Sequence, residues 1–212
     1  MVSGLHFQSE GQLQCFGINS LTANILCARH NSALSALDAV AAKFYENIGE
    51  IDRRCREGGD RIWTAISGDG LEQWMLKCVL GLAHSGNSRA GSNPVELIDW
   101  LYGRQEFTIG AGLYFISPAH TPIYHSGNMQ VQSLVSPNGR ILAWDLAMRG
   151  LAFRFAFAQF DSAETMGVYR PQQFSFRADK TAHVIDLNWT KGASGLAVPL
   201  NLVGTYSGES PT

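Results

Sequence analysis

The strongest pattern in the first quarter of the chain has the period of an α-helix. Apolar residues recur every three or four positions on one face: Leu37, Val40, Ala41, Phe44 and Ile48. Ser35, with Asp38 three residues later, resembles a capping box at a helix start. The pattern therefore predicts a helix that begins near Ser35 and ends near Gly49, or continues through the charged stretch that follows as far as Gly58-Gly59.

Two more helices are indicated by start signals followed by apolar positions. Asp69 is expected to cap the second helix, with Glu72 as the matching capping-box residue. Its apolar face is made of Leu71, Trp74, Met75, Cys78, Val79 and Leu82. Gly86 is placed to end this helix, and Asn93-Pro94 predicts the start of a short third one.

After Gly103 the apolar pattern alternates with period two, which is typical of β-strands. Strands are predicted over 112–116, 129–135, 140–147, 151–157, 174–176 and 183–189. In the fourth of these, Phe153 and Phe155 alternate with small or polar residues, so we expect an aromatic face packed on the helix that contains Trp74. The stretch from Lys191 onward is rich in Gly, Ser and Pro and is expected to lie on the surface.

The order of these elements predicts the fold class. Helices come first and strands follow, which indicates an α+β fold with N-terminal helices packed on one face of a C-terminal antiparallel β-sheet meander. A length of 212 residues fits a single domain spanning 1–212. Within it, 1–104 is expected to be mainly helical, 105–190 to form the sheet, and 191–212 to be a surface tail.

Composition narrows the classes of protein to consider. Only 16% of residues are charged and the net charge is -2, so a basic field over the whole protein, as in many nucleic-acid-binding proteins, is absent. The four cysteines form no CxxC pair, which favours reduced thiols and a cytoplasmic location. Neither a transmembrane helix nor a signal peptide is predicted. Low charge and many aromatic residues are compatible with a homodimer.

One segment carries metal-ligand chemistry at the entry to the first helix. Cys27 and His30 are three residues apart, as in half of a small zinc site, and Cys15 is a candidate third ligand. His30 is also the candidate catalytic base. The alternative is structural: Cys27 is buried under the helix, and His30-Asn31 orients the loop. We mainly expect that the protein has no cofactor, and bound zinc is the alternative.

The same segment carries a resemblance. Residues 26–38, Leu-Cys-Ala-Arg-His-Asn-Ser-Ala-Leu-Ser-Ala-Leu-Asp, resemble a segment of uncharacterised bacterial proteins that have an HNH-endonuclease-like zinc-finger start. Residues 72–77 are similar to a second string of that group, so the resemblance covers about residues 20–85. It implies zinc binding through Cys27 and His30 and a nuclease-like scaffold. The upstream cysteine pair of that pattern is missing, which predicts a truncated or degenerate relative.

Three other groups of residues are candidate sites. His120, His125 and His183 could form a three-histidine metal site, although surface or half-buried histidines are favoured. Arg53, Arg54 and Arg56 could touch nucleic acid, but acidic neighbours favour a solvated helix end. An apolar ligand pocket on the aromatic sheet is also possible, with polar groups supplied by Tyr114, Trp144 and Arg154.

The sequence therefore favours a bacterial, non-enzymatic binding module without a complete catalytic site. One alternative is an HNH-like, metal-dependent nuclease or zinc-binding relative that uses Cys27 and His30. The second alternative is a small-ligand pocket protein built on the aromatic sheet.

Overall fold

The computed structural model describes residues 28–84, 96–117, 122–124, 129–135, 141–157, 167–178, 181–190 and 192–203. The helices are α1 (Ala28–Ala33), α2 (Ser35–Glu57), α3 (Gly68–His84) and α4 (Glu96–Leu101). The strands are β1 (Trp63–Ser67), β2 (Gly112–Phe115), β3 (Pro122–Tyr124), β4 (Met129–Val135), β5 (Ile141–Met148), β6 (Leu151–Ala156), β7 (Val168–Tyr169), β8 (Gln173–Ala178), β9 (Thr181–Asn188) and β10 (Ala197–Val203).

Helix α2 runs through Gly49 and ends at Glu57 with Gly58 as its C-cap, at the second of the two predicted end points. Gly49 allows the Arg149 side chain to pack closely on α2, because an added Cβ would lie 2.9 Å from the guanidinium carbon of Arg149. That guanidinium also lies 3.9 Å from the centre of the Tyr45 ring. Arg149 and Gly150 form the β5–β6 turn and both have positive φ, at 47° and 81°. The turn thereby fastens the β5–β6 hairpin to α2.

The predicted capping residues are corrected by the structure. The Ser35 hydroxyl donates to the carbonyl of Ser32 within the preceding turn, so it does not cap α2. At α3 the cap is Ser67, whose Oγ accepts from the Gly70 N–H at 3.0 Å. Asp69 instead accepts from the Thr190 N–H at 2.8 Å. Glu72 does not cap α3 locally but forms a long-range ion pair with Arg170.

The strands form two five-stranded sheets. The mixed sheet has the order β1-β9-β8-β10-β3, in which only β8 and β9 are antiparallel neighbours. The antiparallel sheet has the order β4-β5-β6-β2-β7 and contains the β4-β5-β6 meander. The α+β class, with helices first and the predicted strands after them, is confirmed. Four of these strands were not predicted by the sequence pattern: β1, β3 and β10 of the mixed sheet, and β7 of the antiparallel sheet.

β1 and β10 are the two longest strands among those that were not predicted. β1 lies where a loop was expected, and its Thr64 and Ile66 pair with Ile185 and Leu187. β10 lies in the expected surface tail, although its Val198 and Leu200 are buried. Pro199 is in register with Ser175 of β8 and lies before the start of the β10–β3 register at Asn201.

A core of aromatic rings joins the helices to both sheets. Phe44 of α2 contacts Phe153 of β6 and Phe174 of β8, with ring centroids 5.8 and 6.2 Å apart. Phe115 of β2 contacts the same two rings. Met75 of α3 is buried in this core, as expected from the α3 stripe. The inner faces of the two sheets therefore share one apolar interior. No helix in the described part of the chain is long and apolar enough to cross a membrane.

Candidate functional site

The most exposed of the five tryptophans stands on β1, at the edge of the mixed sheet. Trp63 is 64% exposed, whereas Trp100 and Trp144 are buried. Its indole Nε1–H donates to Oδ2 of Asp186 at 2.7 Å. The other oxygen of that carboxylate accepts from Nε2 of Gln173, also at 2.7 Å. A large apolar ring is thus held in place on the surface by a chain of two hydrogen bonds.

Trp63 belongs to the face of the mixed sheet opposite Ile185, and on this face Val184 is 5% exposed. It pairs in register with Val184, which in turn pairs with Ser175, so these three side chains form one row across β1, β9 and β8. Asp186 and Gln173 form the next row. We call these five residues the Trp63 face. The opposite face of the same strands carries Phe174, Ile185 and Leu187, which are buried in the core.

The free edge of β1 is covered more than its outer face. The Nζ of Lys43 in α2 donates to the backbone carbonyl of Ala65 at 3.3 Å, on the side away from β9. Ser67, at the end of the strand, is already the cap of α3. Lysine over an edge strand discourages the addition of another strand. Contacts with another molecule are therefore expected at the Trp63 ring and not along the β1 backbone.

A second polar cluster is a buried ion pair between α3 and the segment after β7. Glu72 and Arg170 are 1% and 9% exposed. Oε1 of Glu72 accepts from Nε of Arg170 at 3.0 Å, and Oε2 accepts from Nη2 at 2.8 Å. Oε1 also accepts from the Leu113 N–H at 2.8 Å. Burial raises the pKa of Glu72, while Arg170 and the Leu113 N–H act in the opposite direction.

The surroundings of this pair indicate a structural role. The guanidinium of Arg170 lies 5.1 to 5.8 Å from the rings of Tyr169, Trp189 and Phe107. Arg170 has φ of 40°, a conformation that non-glycine residues rarely adopt. Gly112 is required because a Cβ there would overlap Oε1 of Glu72. The pair is enclosed on several sides, so it fixes α3 to β2 and to the start of β8.

The residues predicted to line a ligand pocket lie on both faces of the antiparallel sheet. Tyr114 and Arg154 are direct cross-strand neighbours on the outer face. Arg154 forms a bidentate pair with Asp145, at 2.7 and 2.8 Å, and its hydrogen bonds with Asp145 raise its pKa despite burial. Trp144 pairs with Phe155 on the opposite, inner face. The structure therefore brings Tyr114 and Arg154 together and separates Trp144 from them.

The predicted metal ligands fall largely outside the described residues. Cys15 and Cys27 lie there, as do His120 and His125. His30 is exposed in α1, with its ring centroid 5.8 Å from that of Tyr102. In the described ranges, no three His, Cys, Asp or Glu side chains gather as a metal-binding group.

His183 is buried on the inner face of β9, at 1% exposure. Its Nδ1 accepts a hydrogen bond from the Ile62 N–H at 3.1 Å. Because an accepting ring nitrogen carries no proton, this contact requires the neutral form of the imidazole. Burial lowers the pKa of His183, and the charges of Arg54 and Arg61 lower it further. His183 therefore joins the segment before β1 to β9.

The arginines at the end of α2 are held by neighbouring acids. Arg53 contacts Glu50 and Glu57, Arg54 also contacts Glu50, and Arg56 contacts Asp52. The hydrogen bonds from Arg53 and Arg54 lower the pKa of Glu50 to about 2. These pairs are spaced three or four residues apart and extend the helix past Gly49. They also compete with any phosphate for the guanidinium groups.

No motif in the sequence marks Trp63, Asp186 or Arg170 as a site residue. A tryptophan in a short β-branched stretch, Trp-Thr-Ala-Ile-Ser, was the signal available for β1. The exposure of its ring depends on which face of the sheet it occupies, and this requires the pairing with β9. Comparison of the chain with protein-family models, with curated proteins and with solved structures finds no match.

Proposed function

We propose that this protein is a non-enzymatic binding module that recognises a polypeptide segment through the Trp63 face. The observation that carries the proposal is the exposed Trp63 ring with its N–H already bonded to Asp186. Tryptophan is among the residue types that contribute most to protein interfaces. Because its N–H is satisfied within the chain, the ring offers mainly an apolar surface to a partner.

The hydrogen bonds behind Trp63 support a role in binding. An exposed side chain loses rotational freedom when a partner covers it, and the loss weakens binding. Asp186, itself held by Gln173, restricts the indole before any partner arrives. A ring fixed in this way can bind with a smaller loss of entropy.

The non-enzymatic part of the proposal is supported by buried and half-buried carboxylates that are already paired with arginines. Glu72 is paired with Arg170, Asp145 with Arg154, and both pairs are bidentate. Such pairs fix elements to one another. Asp52 also pairs with Arg56 within α2, and Lys77 of α3 pairs with Asp38 of α2.

Peptide selection with a matched pair of variants tests this function. A library of random peptides is selected on the full chain, and the dissociation constants of the enriched peptides are measured by fluorescence polarisation. We expect Trp63→Ala to weaken them by about tenfold or more, as for an interface hot spot. Ile109→Ala is the control, because Ile109 is 90% exposed and lies before β2 of the other sheet. Peptides that bind Trp63→Ala as tightly as the wild type would contradict the proposal.

The zinc-binding, nuclease-like alternative stays a prediction based on the resemblance over residues 20–85. Its support is the Cys27-x-x-His30 spacing and the exposed position of His30 in α1. Elemental analysis of the purified full chain tests it. Stoichiometric zinc that is lost in His30→Ala would favour this alternative, and protein free of zinc after expression in zinc-supplemented medium would remove it.

A further inference from the structure

Two exposed arginines lie beside the Trp63 face. Arg177 of β8 pairs in register with Ala182 of β9, which is two residues before Val184 on the same face. Arg61 is two residues before Trp63, where the register of β1 with β9 begins, and the Val184 N–H donates to the Ile62 carbonyl. Continuing this register by two residues places the Arg61 backbone level with Ala182. With about 4.8 Å between neighbouring strands, the two arginine backbones are roughly 10 Å apart, one on each side of Ala182.

These arginines differ from most others in the described part of the chain. Ion pairs engage Arg53, Arg54, Arg56, Arg104, Arg154 and Arg170. Arg61 and Arg177 are exposed, and within the described ranges neither forms a salt bridge with a carboxylate. A protein with a net charge of -2 thus keeps, within its described residues, two arginines without an ion pair next to its exposed tryptophan.

We propose that the Trp63 face selects an acidic polypeptide segment, an inference that rests on the proposed function and names its partner. Carboxylates of the segment pair with Arg61 and Arg177, and an apolar side chain of the segment covers the Trp63 ring. The small side chains of Ala182 and Ser175 between these groups allow the segment to approach the sheet closely. Complementary charge of this kind determines which partner is accepted and how fast it associates.

The surrounding charges favour an acidic polypeptide over a nucleic acid. Asp60 adjoins Arg61, and Asp186 lies on the Trp63 face. A polyphosphate chain would carry its repeating charges past both carboxylates. Two arginines also provide few phosphate contacts, whereas they suffice for a peptide with two or three carboxylates. Binding of single-stranded nucleic acid is therefore an outcome that would contradict the inference.

A charge-swap experiment on the full chain tests the inference. The probes are three fluorescent peptides that share one central leucine and are flanked by glutamate, glutamine or lysine, together with an oligothymidylate of similar length. We expect the glutamate peptide to bind most tightly and to weaken as salt rises. The double variant Arg61→Glu/Arg177→Glu should weaken it by about tenfold or more and should instead prefer the lysine peptide. Arg29→Glu, an exposed position in α1, is the matched control and should leave binding unchanged.

The outcomes separate this inference from the proposed function. If library-selected peptides depend on Trp63 but show no acidic preference and no loss in the double variant, the partner assignment is wrong and the binding function stands. If no peptide depends on Trp63, the binding function itself fails. Tighter binding of oligothymidylate than of the glutamate peptide overturns the acidic partner. Unchanged circular dichroism and thermal unfolding of each variant exclude loss of fold as the cause.

Discussion

Glu72 and Arg170 are 98 positions apart in the chain and form a bidentate ion pair with almost no contact with solvent. Glu72 is on α3, and Arg170 is between β7 and β8. The same carboxylate holds the Leu113 N–H at the start of β2. The pair therefore joins a helix to strands of both sheets, at a position that neither local sequence nor propensity defines.

Removing one charge of this pair should destabilise the protein strongly. Glu72→Gln keeps the volume and the acceptor for Leu113 but leaves the buried Arg170 charge without its counter-charge. We expect a loss of about 3–5 kcal/mol in the free energy of unfolding, measured by urea denaturation. The double variant Glu72→Gln/Arg170→Met should lose less than the sum of the single variants, because no unpaired charge remains. Additive losses would contradict the buried-pair account.

Two tryptophans should respond differently to replacement by phenylalanine. Nε1 of Trp189 donates to the Pro171 carbonyl at 2.9 Å, whereas the buried Nε1 of Trp144 has no acceptor in the described part of the chain. Trp189→Phe leaves a carbonyl without its donor, and we expect a cost of about 1–2 kcal/mol. Trp144→Phe removes an unsatisfied N–H, which offsets lost packing, so its change should stay within about 1 kcal/mol. Urea denaturation of both variants checks the order, and an equal or larger loss for Trp144→Phe would refute it.

His183 should contribute to destabilisation in mild acid. Its pKa is lowered in the folded protein by burial and by two arginines, so below its ordinary pKa the unfolded chain binds a proton that the folded chain does not. Stability conferred by the neutral ring is complete above about pH 6.5 and declines as the pH falls below it. His183→Asn keeps an acceptor for the Ile62 N–H but does not titrate. Its free energy of unfolding should therefore fall less steeply between neutral and mildly acidic pH, and an unchanged slope would rule out this role.

The two cysteines of the described helices should react slowly with thiol reagents. Burial raises the pKa of Cys55 to about 11 and that of Cys78 to about 12, from an ordinary 9.0. Only the thiolate reacts, so at neutral pH the reactive fraction of Cys55 is about 100-fold below that of an ordinary thiol. Peptide mapping after brief maleimide treatment should find both residues largely unmodified in the native protein and fully modified in urea. Rapid native labelling of Cys78 would contradict the raised pKa of its thiol.

The sequence by itself determined those elements whose signals are local. The apolar period of α2 and the alternation at Phe153 and Phe155 depend only on which residues follow one another. The sequence predicted two possible ends for α2, and the helix stops at the second one, Gly58. A glycine pair interrupts a helix regardless of its surroundings. The α+β class follows from the order of these elements, and the aromatic side of β6 was assigned to the core correctly.

Only the tertiary structure decided the features that depend on partners far along the chain. β1 and β10 are strands because β9 and β8 provide parallel partners, and their short apolar stretches carry no strong signal alone. Trp63 is exposed because the Trp63–Val184 register places it on the outer face, since shifting a strand by one residue exchanges its two faces. Glu72 pairs with Arg170 and does not cap α3, because a buried carboxylate needs a counter-charge. Only folding brings that counter-charge near.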